Sequence, residues 1–282
     1  MKDIQGQSWF TCDPSIRDYL RGLVSLLGES LADNRTGVYL HGSLATGSWF
    51  PPKSDMDILV VVDCELEPDR AGALNLAIAR YSLTRPTVGD IELSAITRAA
   101  AHDVPAEMPF ELHYSEDWRQ RIFDSQVIYG NGKTDIDLQA HLLCVKRRGI
   151  CLCGAPIAEV FGDVPWQRFM AAILDDFDWI AAGENIRASP YYGILNICRV
   201  LQALREDNRQ VLSKLEGGLW GLEHLPEKYA PLIEQALAIY TSGEEIPESQ
   251  RRTGGAAWDP RTLLAFRDYA IAERAAYAHF GH

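Results

Sequence analysis

A chain of 282 residues, 47% of them hydrophobic, can bury one large core or two moderate ones, which excludes a disordered tail or a small disulfide-stapled fold. Its 27 Lys and Arg stand against 39 Asp and Glu, and the formal net charge of -12 repels a nucleic-acid backbone while attracting small polycations. No run reaches the roughly 18 apolar residues of a membrane helix, and Met1-Lys2-Asp3-Ile4-Gln5-Gly6 has no secretory core, so a cytoplasmic monomer with no nucleic-acid or membrane partner is expected.

The first predicted element is a helix over residues 14–31, where Ile16, Leu20, Leu23, Leu27 and Leu31 recur near a 3.6-residue period. Asp13 and Pro14 suit its N-cap and first turn. Gly37 then releases the chain into a short strand at 38–40. His41-Gly42-Ser43-Leu44-Ala45-Thr46-Gly47 reads as an anion-binding turn, because Gly42 lets the backbone fold closely round an anion and Ser43 supplies a hydroxyl and an amide. No Gly-Lys-Ser or Gly-Lys-Thr follows, so this is not a Walker loop. A polar, Pro-rich, solvated link at 49–54 leads to Asp55-Met56-Asp57 and then Ile58-Leu59-Val60-Val61-Val62. That unbroken aliphatic run predicts a strand buried on both faces.

A helix is predicted over 71–81, with Leu74, Ile78 and Tyr81 on one side. The strand over 91–96 sets Ile91, Leu93 and Ala95 on one face, with Glu92 and Ser94 on the other. Asp90 shares Glu92's face beside the Gly89 turn and reads as a capping or solvated residue. Residues 99–128, broken by Pro105 and Pro109, are expected to be connections and short elements. Gly130-Asn131-Gly132 marks a break, after which the capping-box spacing of Thr134 to Asp137 starts a helix running to Arg148 and ending at Gly149. Lys146-Arg147-Arg148 complements the dipole of that helix.

The six cysteines do not form a secreted disulfide framework. With His141 and Cys144 nearby, Cys151 and Cys153 have a spacing unlike the usual zinc knuckle, and they are expected to be small buried hydrophobes on a short strand or turn. From there the pattern is helical, at 166–182, 192–204, 226–240 and 260–276, the last behind Asp259 and Pro260. The change of pattern near 161–165 predicts an α+β chain with domains at 1–160 and 161–282 and a substrate cleft between them. Residues 242–257 are expected to be an exposed connection.

Asp55 and Asp57 enter their strand on one face, and two carboxylates placed together beside a hydrophobic strand are costly unless a cation lies between them. Magnesium suits them, since it takes hard oxygen ligands and bridges nucleotide phosphates. If the strands are neighbours, Glu92 joins them as a metal ligand and as a base toward an attacking hydroxyl. Asp175, Asp176, Asp178 and Glu184 precede Tyr191 and Tyr192, a combination able to attract ammonium groups and cover rings.

Gly42-Ser43, Asp55-x-Asp57 and the later strand carboxylate Glu92 together resemble the polymerase-beta-like nucleotidyltransferase superfamily. Within it the chain is similar to the aminoglycoside adenylyltransferases acting on streptomycin or spectinomycin. That similarity extends through Leu195-Asn196-Ile197-Cys198-Arg199, Ser213-Lys214-Leu215-Glu216-Gly217-Gly218-Leu219-Trp220 and Leu225-Pro226. The resemblance implies an N-terminal nucleotidyltransferase domain with a short mixed sheet, followed by a C-terminal helical bundle. It implies that Gly42, Ser43 and Lys214 bind the phosphates of ATP, that Asp55, Asp57 and Glu92 bind Mg2+, and that Glu92 is the base. A small cationic antibiotic would be the acceptor, with Asp178, Glu184, Tyr191 and Tyr192 on its side of the site. The acceptor stretch departs from the family's pattern, which favours spectinomycin over streptomycin. Transfer to another metabolite or a protein, or nucleotide binding without catalysis, remain the alternative readings.

Overall fold

The computed structural model describes residues 5–130, 132–206 and 208–278, which form two compact units divided between Phe169 and Met170. Asn131, in the predicted break, lies outside the described residues, as do the first four residues of the chain. The first unit runs α1 (Pro14–Leu31), β1 (Arg35–Leu40), α2 (Gly42–Thr46), β2 (Met56–Val62), α3 (Pro68–Ser82), β3 (Ile91–Thr97), α4 (Arg98–Asp103), β4 (Leu112–Tyr114), α5 (Glu116–Phe123), α6 (Leu138–Arg148), β5 (Ile150–Gly154) and α7 (Ile157–Val160). Helix α8 (Trp166–Ala181) contains the division, and α9 (Pro190–Arg205), α10 (Lys214–His224), α11 (Ala230–Tyr240) and α12 (Pro260–Ala278) complete the helical unit. Among the described residues no helix is long and apolar enough to cross a membrane.

The five strands form one mixed sheet in the order β4-β3-β2-β1-β5, with β2 and β3 parallel and the other pairs antiparallel. The central β2 is covered on both faces, as its aliphatic run requires. Val38, Leu40, Ile58, Val60, Leu93 and Ala95 pack with Leu20, Leu23, Leu27 and Leu31 of α1 and with Leu74 and Ile78 of α3. On the opposite face Tyr39, Leu59, Val61 and Ile96 meet Leu138, Leu142 and Val145 of α6 together with Val160 and Phe161. Each fully buried aliphatic side chain stabilises the unit by about 1.5–3 kcal/mol relative to leaving it in water. Asp13 caps α1 as expected, accepting from the Ser15 amide at 2.8 Å.

Several local expectations give way to tertiary packing. Gly37 lies inside β1 at a register irregularity, where a Cβ would stand 2.3 Å from the Tyr39 hydroxyl. The link at 49–54 is not solvated: Pro52, Lys53 and Ser54 are buried, and the chain is pinned by a bridge between Gln7 and Trp49. Thr134 forms a bridge with Pro109 instead of a capping box, so α6 starts later, at Leu138. Asp90 is buried rather than solvated, since Arg119 and Tyr114 satisfy its carboxylate. Cys12 and Cys198 are buried, but Cys144, Cys151 and Cys153 are only half-buried and Cys64 is exposed. Within 242–257 the chain forms a 3-10 turn at Glu248–Thr253, and Pro226 leads into a 3-10 turn before α11. The terminal cations of α6 are structural: Lys146 donates to the Gly162 carbonyl, Arg147 lies over Trp166, and Arg148 donates to the Thr46 carbonyl.

Helix α10 lies outside the predicted helices because Gly217, Gly218 and Gly221 depress its helical propensity. Packing overrides propensity here. A Cβ on Gly217 would stand 2.5 Å from Arg199 Cγ and 3.1 Å from the Arg199 amide nitrogen, and one on Gly221 would stand 2.7 Å from Cys198 Sγ. The glycines thus let α10 approach α9 closely, while Ser213 and Glu216 close a reciprocal capping box at its start. Gly217→Ala, which in an open helix would gain up to about 1 kcal/mol, should instead destabilise by about 1–2 kcal/mol, read by denaturant unfolding. A stabilised variant would contradict the close-packing account.

Candidate active site

Strand pairing assembles the site. Leu40 stands opposite Ile58, so His41 comes level with Asp57, and its amide donates to the Asp57 carbonyl at 3.0 Å. Parallel β3 sets Glu92 opposite Asp57. Side-chain alternation therefore places His41, Asp57 and Glu92 in one row across three strands, on the face covered by α6. Immediately after His41 the chain enters α2 with Gly42 at φ +62, and a Cβ there would stand 1.8 Å from Asp57 Oδ2. Only glycine allows the Asp57 carboxylate to lie against this turn. No side chain caps the start of α2, and the Ser43 carbonyl is taken by the Ser48 amide at 3.0 Å.

Asp55 is held from β3. Its Oδ1 accepts from the Asp90 amide at 2.9 Å, while the Met56 amide donates to the Asp90 carbonyl at 2.8 Å and Trp49 Nε1 donates to the Asp55 carbonyl at 3.0 Å. Asp90 is itself anchored by the Ile91 amide at 2.7 Å and by Arg119 at 2.8 Å. This scaffold was not legible from strand alternation, which puts Asp90 on Glu92's face; the carboxylate turns instead toward Tyr114, Arg119 and the α3 side.

Burial first, and then the neighbouring carboxylates of Asp57, Asp55 and Asp137, push Glu92 up from 4.5 to about 8 against the pull of His141. On His141, burial acts to lower the pKa, yet Asp137, Glu92 and Asp57 lift it to about 10. Its Nε2 lies 3.0 Å from Asp137 Oδ2 and its ring centroid 4.7 Å from that of His41. Buried His41 is pushed well below its usual range, by burial and then by His141. His113, whose Nδ1 lies 3.0 Å from Ser94 Oγ, is lowered by burial. His41, Asp137 and His141 were missed as site residues, although the i,i+4 spacing of Asp137 and His141 was visible in the sequence.

Gly42, Ser43, Asp55, Asp57 and Glu92 thus lie in the first unit. Lys214, Asp178, Glu184, Tyr191 and Tyr192 lie in the helical unit. Lys214 is the first residue of α10, with its ammonium 4.7 Å from the Tyr192 ring centroid, and the Tyr192 hydroxyl donates to Asp176 at 3.0 Å. Tyr191 is buried. Glu184 pairs with Arg187 and Asp178 with Arg274.

Asp55, Asp57 and Glu92 offer hard oxygens, and Glu92, raised by burial and then by the neighbouring carboxylates, is a group that a divalent cation would favour in its charged form. Among the described residues no three His, Cys, Asp or Glu side chains converge into a ready metal cage. The carboxylates therefore fit a cation that draws further ligands from elsewhere.

Comparison with known proteins places both units. Residues 21–96 match the nucleotidyltransferase domain family, and residues 159–256 match the C-terminal domain of aminoglycoside adenylyltransferases. The chain is 26% identical over 237 residues to an aminoglycoside (3'') (9) adenylyltransferase of Escherichia coli, covering 80% of this chain and 85% of that one. A similarly named protein of Rhizobium radiobacter is 24% identical, over 77% and 81% of the two chains. The fold is shared with a spectinomycin adenyltransferase from Enterococcus faecialis solved with ATP and spectinomycin, at a TM-score of 0.74 and 22% identity, covering 91% of this chain and 98% of that one.

The charge excess has a measurable sign. Between its ordinary 4.5 and about 8, Glu92 keeps its proton in the folded state and loses it in the unfolded state, so its contribution to stability falls as pH rises through that window. In a chelator, the thermal midpoint of wild type should drop relative to Glu92→Gln between pH 5 and pH 8. A constant difference between the two midpoints would show that Glu92 is not raised.

Proposed function

We propose, because this chain belongs to the aminoglycoside adenylyltransferase family within the polymerase-beta-like nucleotidyltransferase superfamily, that it transfers AMP from ATP to a hydroxyl of an aminocyclitol or aminoglycoside antibiotic, with spectinomycin favoured over streptomycin. The observation that carries this reading is the Asp57 carboxylate lying against the Gly42 turn with Glu92 level beside it. That arrangement would join a place for phosphate, a place for a cation and a base at one end of the interior strands. The names of the curated relatives supply the acceptor class, and the net charge of -12 suits a cationic acceptor.

In this reading Gly42 and Ser43 receive the triphosphate, and Lys214, fixed over Tyr192, serves its phosphates. Asp55, Asp57 and Glu92 would hold Mg2+, which when bound supplies charge neutralisation at the phosphates. Asp178, Glu184, Tyr191 and Tyr192 are assigned to the acceptor side. The acceptor oxygen attacks the α-phosphorus and its proton passes to Glu92. The bond from that phosphorus to the bridging oxygen breaks, and pyrophosphate leaves with the electron pair. No covalent enzyme intermediate is required.

Incubation with ATP, Mg2+ and a panel of aminocyclitols and aminoglycosides, read by mass spectrometry, should show an adenylyl adduct, strongest on spectinomycin. No adduct across the panel would sink the reading, and a stronger streptomycin adduct would reverse the preference. Glu92→Gln should keep ATP binding within about threefold while kcat falls by about 100-fold or more; Asp55→Asn and Asp57→Asn should weaken metal-dependent ATP binding as well as turnover. Normal turnover by Glu92→Gln would remove it as the base.

A further inference from the structure

Asp90 takes no part in the transfer reading, yet its backbone holds one of the proposed cation ligands. Its amide donates to Asp55 Oδ1 at 2.9 Å, and its carbonyl accepts from the Met56 amide at 2.8 Å. The donating amide belongs to the peptide that follows Gly89, the residue type with the widest backbone freedom, so the local chain does not fix where that N–H points. The Asp90 side chain fixes it, because both carboxylate oxygens are tied. Oδ1 accepts from the Ile91 amide at 2.7 Å, and Oδ2 lies 2.8 Å from Arg119 Nη1 and 3.2 Å from the Tyr114 hydroxyl. Arg119 and Tyr114 come from α5 and β4, elements that carry none of the residues assigned to phosphate, cation or acceptor. The Asp90 side chain is only 2% exposed and that of Arg119 18%. Withdrawing such a pair from water costs about as much as its attraction returns, so an apolar pair would hold the fold equally well. What an ion pair adds is a fixed direction.

We propose that the Asp90–Arg119 pair is the positioning device for Asp55: by pinning the Asp90 backbone it keeps the amide on Asp55 Oδ1 and holds that carboxylate in the rotamer from which it would meet the cation. The proposal deepens the transfer reading and rests on its assignment of Asp55. Asp90 and Arg119 are positioning residues, since they act on Asp55 through the backbone. With the pair broken, rotation of the peptide between Gly89 and Asp90 removes the donor from Asp55 Oδ1, and the carboxylate regains rotamers that this bond excludes. Groups that orient a metal ligand in this way set metal affinity by about 10- to 100-fold.

The test uses the full chain. Titration calorimetry reads how much Mn2+ strengthens the binding of α,β-methylene-ATP over its binding in EDTA, and the thermal midpoint is taken beside it in EDTA. Arg119→Met should cut the Mn2+ effect by about 10-fold or more and lower the midpoint, since it leaves Asp90 buried without a counter-charge. Asp90→Asn, which keeps an acceptor for the Ile91 amide, should cut the Mn2+ effect to a similar extent. Combining the two removes both charges. The midpoint should then recover relative to Arg119→Met while the Mn2+ effect stays low, a split that a merely structural ion pair would not give. Arg70→Met, which loses hydrogen bonds to the Ser30 and Leu31 carbonyls, supplies a destabilised comparison whose Mn2+ effect should stay within about threefold of wild type. The proposal is overturned if the double variant keeps the Mn2+ effect within about threefold of wild type, if Arg70→Met loses it equally, or if wild type shows none. If the effect is present in wild type and lost in the double variant while no acceptor is adenylylated, the transfer reading fails and the positioning of Asp55 stands. Should the variants carrying Arg119→Met fail to fold, Asp90→Asn against Arg70→Met decides by the same measure.

Discussion

Asp57 and Glu92 stand opposite each other on two parallel strands, so their side chains are neighbours on one face of the sheet. Like charges in that position destabilise a sheet, and these are partly withdrawn from water as well. The surroundings accommodate the repulsion in stages. Gly42 leaves room for the Asp57 carboxylate, the Asp90 backbone fixes Asp55, and α6 brings His141 against His41. Burial first, and then the neighbouring carboxylates, keep Glu92 raised in spite of these devices. A site left with an excess of negative charge is poised for a cation carried with an anionic nucleotide.

That local conflict is tolerable because the remainder of the sheet has none. From Ile58 to Val62 every side chain of β2 is buried among apolar neighbours, on one face under α1 and α3 and on the other under α6. The charged row lies at the end of the strands where the helical cover begins, so Asp57 and Glu92 are only half-buried while the residues beyond them are dry. Burial of the strands thus fixes the spacing of the carboxylates to within the rigidity of the ladder, a precision that a loop-borne site would not reach.

The carboxylate row was legible in the sequence because it follows from alternation. Asp57 and Glu92 sit on strands whose period of two states which side chains share a face, Asp55 stands one residue before β2, and the aliphatic run names the central strand. Asp90 broke the rule because it stands just before its strand, where a carboxylate can turn to whichever partner is available; Arg119 and Tyr114, distant in sequence, decided the outcome. Asp137 was ambiguous for a related reason. Its position fits a helix cap and its spacing to His141 fits an ion pair, and its side chain takes the second without making the cap bond. Short-range signals propose such alternatives, and tertiary neighbours choose between them.

Helix α10 shows the same contest with the opposite lesson. Three glycines argue locally against a helix, yet the helix exists because their missing side chains admit Arg199 and Cys198 of α9. Close approach of the two helices brings the first residue of α10, Lys214, over the Tyr192 ring of α9, and Asp176 of α8 fixes that ring through its hydroxyl. A lysine on a flexible stem is a poor point charge unless its stem is confined. Here the confinement comes from the glycine face, so residues that carry no functional group determine where the ammonium proposed for the nucleotide's phosphates is presented. The helix-breaking composition that hides α10 from a propensity reading is therefore the feature that sets Lys214 over the Tyr192 ring.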